Sequence, residues 1–265
     1  VFARWLIERG ASCIILSGRR PRNAEVEKVI QSLHTDSARV DYVQADLADP
    51  NDAFRLIERI EKRHGSVVGI MHAAGVLDDG MMTGQSWERF ARVIGPKVQG
   101  TEYLLAAAEE LSLQYLVLCS SVVSVLGSPG QSNYGAANAV MDALAHHFCS
   151  QGQNCVSLNW GPWAAGGMAT SVDESTVSAW ADRGVSMIEE SLGLSCLESV
   201  LIGGEAQAMV LPVDWEKFVA GFPEGSEPAV VRTMAKKIRR ASVPTSSSRP
   251  TSTLLSDLRR AGVNE

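Results

Sequence analysis

Residues 115–159 read YLVLCSSVVSVLGSPGQSNYGAANAVMDALAHHFCSQGQNCVSLN. Tyr115–Cys119 is a continuous apolar run that breaks at Ser120-Ser121, Tyr134–Ser150 carries a helical pattern, and Cys155–Asn159 is apolar again. Uninterrupted apolar strands belong to sheets covered on both faces, and such strands are joined by helical crossovers. The same alternation extends upstream. Strands are expected at Cys13–Leu16, Val40–Gln44 and Val67–His72, with helices near Asn23–Leu33 and from the Asp49-Pro50 cap to about His64. A further helix is expected over Trp87–Leu111, interrupted at Gly95-Pro96. Ala208–Leu211 would add a last edge strand. The pattern predicts an α/β fold with a doubly wound parallel sheet. Ligands of such folds bind beyond the carboxyl ends of the strands. Arg19, Asp46, Gly75, Ser121 and Gly161, each just after a strand, are therefore expected to line one crevice.

Composition narrows the partners. A net charge of −6 argues against nucleic acid and anionic membranes, which demand a basic surface. The five cysteines form no CxxC pair and lie in or near apolar segments, so they read as reduced core thiols of a cytoplasmic protein. No Cys/His cluster has metal-ligand spacing, so no metal site is expected. No apolar run approaches the roughly 20 residues of a membrane span.

The chemistry concentrates around one tyrosine. Ser121 and Tyr134 are 13 positions apart, room for a strand end, a loop and a helix start, and Asn138 follows Tyr134 on the same helix face. A tyrosine donates a proton near neutral pH only if its surroundings lower a pKa normally near 10. Lys97 could do that, and a serine hydroxyl could hold a carbonyl within reach. The plainer alternatives are a half-buried helix tyrosine, a strand-end serine bonding backbone, a solvated lysine and a structural amide. Ser120 competes with Ser121, and the spacing favours Ser121.

Taken together, Gly18-Arg19-Arg20, Ala45-Asp46-Leu47, the run from His72 to Asp79 (HAAGVLDD), the run from Pro96 to Thr101 (PKVQGT), Ser120-Ser121, the run from Pro129 to Tyr134 (PGQSNY) and the run from Asn159 to Trp163 (NWGPW) carry a specific resemblance. Over roughly residues 1–220 the chain resembles the ketoreductase domains of modular polyketide synthases, within the short-chain dehydrogenase/reductase superfamily. Most of that superfamily places the lysine four residues after the tyrosine. Here Asn138 stands there and Lys97 takes the asparagine's place, the exchange that marks synthase ketoreductases. The resemblance implies Tyr134 as general acid, Ser121 as carbonyl donor, Lys97 as modulator of the tyrosine and ribose ligand, and Asn138 as holder of the lysine and a relay water. It implies NADPH as cofactor, contacted by Arg19, Asp46, Leu47, Ala73, Ala74, Gly75, Lys97, Tyr134 and Pro162. The absence of an acid beside Ser17-Gly18-Arg19-Arg20 suits a 2′-phosphate. Leu77, Asp79, Pro129 and Asn133 resemble the stereocontrol positions of the B type, which gives the D-configured hydroxyl. An acidic loop turn is the bland alternative for Leu77-Asp78-Asp79.

The implied function is NADPH-dependent reduction of a β-ketoacyl thioester, tethered through phosphopantetheine to an acyl carrier protein domain, with other domains of the same megasynthase as partners. A non-reducing structural domain and a free-standing dehydrogenase are the alternatives. The chain opens inside an amphipathic helix, Val1 to Arg9, ended by Gly10, with no start methionine. The fold's first strand and glycine-rich turn are therefore expected to be missing. That absence would leave neighbouring strands unpaired and this piece alone poorly stable, weak in cofactor binding and inactive. Residues 1–222 are expected to form the catalytic domain and 223–250 a flexible linker. Residues 251–265 would be the possible start of a carrier domain.

Overall fold

A computed structural model describes residues 1–108, 111, 113–165 and 174–242 of the chain. The chain divides into two compact units, Val1–Asp214 and a second beginning at Trp215.

The first unit alternates strand and helix. Its elements are α1 (Phe2–Glu8), β1 (Cys13–Gly18), α2 (Ala24–Leu33), β2 (Arg39–Gln44), α3 (Pro50–His64) and β3 (Gly69–His72). They continue with α4 (Trp87–Ile94), α5 (Gly100–Ala107), β4 (Tyr115–Ser121), α6 (Val123–Leu126), α7 (Ser132–Ser150) and β5 (Cys155–Trp160). The unit then adds α8 (Glu174–Asp182), α9 (Glu190–Gly203) and β6 (Gln207–Val210). Local chemistry sets several boundaries. Asn23 caps α2 by accepting from the Glu25 and Val26 amides at 3.1 and 2.9 Å. Asp49 caps α3 at the Asn51 amide, 2.8 Å, with Pro50 at the first helical position. Gly10, at φ +98°, reverses the chain after α1.

All strand pairs are parallel, in two pieces. β1 pairs β2 from Cys13–Arg39 to Gly18–Gln44, and the other sheet runs β3-β4-β5-β6. No ladder joins β1 to β3 among the described residues. Helices cover both faces and tie the pieces together. On one face, Phe2 and Trp5 of α1 pack with Val117, Leu158 and Trp160 of the larger sheet, while Ala3 and Ile7 pack with Ile14 and Leu16 of β1. On the other face, Leu56 and Ile57 of α3 and Leu104 of α5 meet Ile15, Val43 and Ile70. Beside them Leu116 and Leu118 pack against Met141 and Ala145 of α7. Each fully buried leucine contributes roughly 1.5–3 kcal/mol of hydrophobic stabilisation.

Burial follows the pairing. Every residue of β5 is buried, whereas no residue of β1 is and only His72 of β3 is. Two expectations need correction in this unit. Cys13 is exposed at the start of β1 and not a core thiol, because β1 pairs on one side only. The loop after β4 contains a helical turn, α6, whose serine participates in the site below.

The second unit carries α10 (Trp215–Ala220), a 3₁₀ turn at Ala229–Val231 and α11 (Arg232–Ser242). Residues 223–250, expected as a flexible linker, thus carry helical structure over their described part. Basic residues mask an apolar spacing of four that buries Val231 at the end of the 3₁₀ turn and Ala235 in α11. Arg239 fastens the turn by pairing with buried Glu227 and donating to the Phe222 carbonyl at 2.9 Å. Residues 243–265, with the rest of that linker and the suggested carrier start, lie outside the described residues. No described helix is long and apolar enough to cross a membrane.

One-sided pairing has a kinetic consequence. Amides of β1 and β3 should exchange with deuterium at least tenfold faster than those of β4 and β5, because edges open without global unfolding. Equal protection across the four strands, measured by NMR, would contradict the two-piece sheet.

Candidate active site

The carboxyl end of β4 delivers Ser120 and Ser121, and α7 brings Asn133, Tyr134 and Asn138 alongside. Small residues let the helix approach: a Cβ on Gly135 would already touch the Val123 carbonyl at 3.4 Å. Lys97 arrives from a segment that departs from α-geometry. Gly95–Gln99 form one π-turn between α4 and α5, at the interruption that Gly95-Pro96 implied. Proline has no amide to donate, so the widened turn accommodates it.

That turn drives Lys97 inward until it is 2% exposed. Its ammonium donates to the Cys119 carbonyl at 3.1 Å, lies 3.8 Å from the Met141 sulfur, and stands 5.3 Å from the Tyr134 ring centre. Burial lowers the Lys97 pKa to about 8, against the upward pull of Cys119 and Asp142. Gly75 makes the space, since a Cβ there would meet the lysine Cε at 2.9 Å. Leu47 lies against the same segment, 3.1 Å from where a Cβ on Gly100 would sit.

Tyr134 is buried, and desolvation raises its pKa; hydrogen bonds from Asn138 and Ser121 oppose that rise. The expected net lowering by Lys97 is therefore not what the structure has. Burial outweighs the other effects and holds the phenol neutral. Asn138 also differs from expectation. Its Nδ2 donates to the Tyr134 carbonyl at 2.8 Å, not to the lysine region, and its buried Oδ1 has no partner among the described residues. The serines separate cleanly. Ser120 Oγ donates to the Asn138 carbonyl at 3.3 Å and accepts from Asn159, while Ser121 faces the tyrosine.

Behind these groups lies a polar cluster that sequence reasoning missed. Asp142 accepts from Ser157 at 2.6 Å, Ser124 at 2.7 Å and Asn159 at 2.8 Å. Asn159 in turn donates to the Ser121 carbonyl at 3.3 Å and receives Gln207 at 2.9 Å. The signal was present: Tyr134, Asn138 and Asp142 recur every four residues on one face of α7. His72 was also passed over. It is 2% exposed beneath the π-turn, and burial lowers its pKa to about 4, against bonds to the Lys97 and Pro96 backbone.

The positions expected to govern stereochemistry meet at one edge. Asn133 Nδ2 donates to the Asp78 carbonyl at 2.8 Å, Gln131 to Asp79 at 3.0 Å, and the Gly80 amide to the Gly130 carbonyl at 2.8 Å. Pro129 and Leu77 are exposed on this edge. Ala73 and Ala74 present little side chain beside Gly75, and Asp46 Oδ1 holds the Ala48 amide at 3.1 Å. Arg19 and Pro162 make their bonds elsewhere. The Arg19 side chain is exposed and its carbonyl accepts from Gln44 at 3.0 Å; the Pro162 carbonyl accepts from the Ile188 amide at 2.6 Å.

Comparison with known proteins places this geometry. The family model described as "KR domain" matches residues 1–165. Polyketide synthase GfsA of Streptomyces halstedii is 39% identical over 222 residues, 83% of this chain and 3% of that protein. Among solved structures, PlmKR1, the ketoreductase from the first module of phoslactomycin biosynthesis in Streptomyces sp. HK803, superposes with a TM-score of 0.80 at 29% identity. That match covers 88% of this chain and 54% of that one. An alcohol dehydrogenase from Thermococcus sibiricus, solved with 5-hydroxy-NADP, shares the fold at 17% identity and a TM-score of 0.65, over 80% of this chain and 90% of that one. The chain thus spans a small fraction of its synthase relative and about half of the solved ketoreductase. With the family model over most of its length, and the serine, tyrosine, lysine and asparagine assembled at one strand end, the chain belongs to the KR domain family, the ketoreductase domains of modular polyketide synthases within the short-chain dehydrogenase/reductase superfamily.

Proposed function

We propose that this domain reduces a β-ketoacyl thioester to the β-hydroxyacyl thioester during polyketide assembly, with NADPH as reductant. The acyl chain would be carried on a phosphopantetheine arm of an acyl carrier protein domain, and other domains of the synthase would be the working partners. The carrying observation is the buried lysine 5.3 Å from the tyrosine ring. A desolvated cation beside a phenol stabilises the phenolate that remains once the proton has left.

The cofactor fits the residues present. Gly75 gives the Lys97 side chain its place, the Lys97 ammonium retains a hydrogen for a ribose hydroxyl, and the buried Asn138 Oδ1 awaits a donor. Arg19, at the end of β1, suits a 2′-phosphate. When bound, NADPH supplies the hydride. The protein supplies the proton: Ser121 hydrogen-bonds the substrate carbonyl and Tyr134, neutral because it is buried, protonates the oxygen. Lys97 offsets the charge left on Tyr134, and Asn138 Oδ1 can take a water on the route of reprotonation. Leu77, Asp79, Pro129 and Asn133 support a D-configured product.

Tyr134→Phe should cut turnover by about 10²–10⁴-fold while NADPH affinity, followed by fluorescence, stays within about threefold. Substantial residual turnover would remove Tyr134 as the acid.

Lys97 carries a linked pair of expectations. With its folded pKa about 8 against 10.5 free, charge on Lys97 costs stability at neutral pH, and the cost is relieved as pH rises from about 8 to 10.5. Lys97→Met should therefore raise unfolding free energy in urea by about 1–3 kcal/mol while turnover is lost. In the unsubstituted enzyme, reduction should decline above about pH 8 as the lysine loses its proton.

The stereochemical and cofactor assignments are checked together. Full-length protein given a β-ketoacyl thioester should oxidise NADPH in preference to NADH and yield the D-hydroxyl, read by chiral chromatography. An L product would overturn the B-type assignment and leave the reduction standing.

A further inference from the structure

Loop residues 77–85 are arranged inside out. Asp78 has a side chain only 12% exposed, while Met81 and Met82 are 72% and 70% exposed. Apolar residues turned outward and a carboxylate turned inward need an internal cation. Arg89, in the first turns of α4, provides it. Its Nε donates to Asp78 Oδ1 at 2.8 Å, one terminal nitrogen donates to the Asp79 carbonyl at 2.5 Å and the Asp78 carbonyl at 3.3 Å, and the other donates to the Gly84 carbonyl at 3.3 Å. One guanidinium thus gathers both ends of the loop. Arg92 also pairs with Asp78, at 2.5 Å, but is bonded to no loop carbonyl among the described contacts. Gly80 is packed on the same group: a Cβ there would meet the guanidinium at 2.6 Å.

The loop so held touches the start of α7 and the residues just before it three times, through Asp78 carbonyl to Asn133, Asp79 carboxylate to Gln131 and Gly80 amide to the Gly130 carbonyl. Asn133 directly precedes Tyr134. At its other end, α4 runs into the π-turn that carries Lys97. Arg89 therefore links the loop, the tyrosine helix and the helix leading to the lysine.

We propose that Arg89, through Asp78 and the loop carbonyls, is a positioning residue that latches loop 77–85 against α7 and so fixes the orientation in which the β-keto substrate meets Tyr134. This rests on the ketoreductase reading. A planar guanidinium suits the task because its fork of donors addresses several fixed acceptors at once, which an ammonium on a flexible stem cannot reproduce.

The test compares Arg89→Ala, Arg89→Lys, Arg92→Ala and Gly80→Ala with the unsubstituted full-length chain. Arg89→Ala should raise the ketoacyl-thioester KM by roughly tenfold and lower the enantiomeric ratio of the product by a similar factor, with NADPH affinity within about twofold, since small misplacements of a substrate are costly in orientation. Arg89→Lys should recover only part of the enantiomeric ratio, and Arg92→Ala should leave it intact. Gly80→Ala pushes the guanidinium aside without removing charge, so it should reproduce the loss even if Arg89→Ala fails to fold. Unchanged KM and product chirality in both Arg89→Ala and Gly80→Ala, or an equal loss in Arg92→Ala, overturns the latch. Hydrogen exchange decides independently of turnover: the Gly80 amide should lose protection in Arg89→Ala, and retained protection also overturns the proposal. An unsubstituted chain that reduces nothing would sink the ketoreductase reading, while the exchange comparison still judges the latch.

Discussion

The site depends on keeping a lysine ammonium inside the protein. Removing a cation from water costs several kcal/mol unless polar groups replace the solvent. Here one carbonyl, one thioether and the face of a phenol stand in for water around Lys97. The π-turn over Gly95–Gln99 follows from that demand, since it directs the side chain into the interior and not along the surface of the helix. In the proposed reaction, a buried cation is then available where negative charge would develop. The domain accepts lower stability there in exchange for electrostatic preorganisation.

The acidic counterpart lies one layer deeper. Asp142 does not bond the lysine; it is saturated by Ser124, Ser157 and Asn159, and reaches Lys97 through its field. Satisfying a buried carboxylate with neutral donors leaves its charge in place while removing its need for water. Asn159 and Ser124 also reach the Ser121 carbonyl, so strand end and helix face are registered against each other. Tyr134 is thereby positioned by a scaffold in which Asp142, Asn159 and Ser121 are engaged, while Asn138 Oδ1, one helical turn from Tyr134, is among the buried atoms left without a partner among the described residues.

Much of this was legible in the chain. Uniform apolar strands such as Tyr115–Cys119 announced burial on both faces, the Asp49-Pro50 cap announced α3, and Gly95-Pro96 announced a break at Lys97. The exchange of Lys97 and Asn138 identified the kind of ketoreductase. What was hidden was long-range or inverted. Arg89 and Asp78 look like surface charges until the fold turns the loop inward. Asn138 bonds backbone where a contact near lysine was expected, because its own helix carbonyl is nearer. Helix α11 was masked by the Pro/Ser/Thr-rich and basic composition around it, although Ala235 on its face is buried.

The contact between Gly75 and Lys97 also constrains how such a domain can change over generations. The two positions are distant in sequence, yet a methyl group at Gly75 would occupy space the lysine Cε already holds, and a side chain so enclosed has nowhere to retreat. Substitutions at contacting sites are not additive, so the pair forms an epistatic unit. Decay of the site has a preferred order: lysine is lost first, and only afterwards does the glycine become free to drift. An alanine or serine at position 75 in a descendant would thus point to a lysine already lost or moved aside.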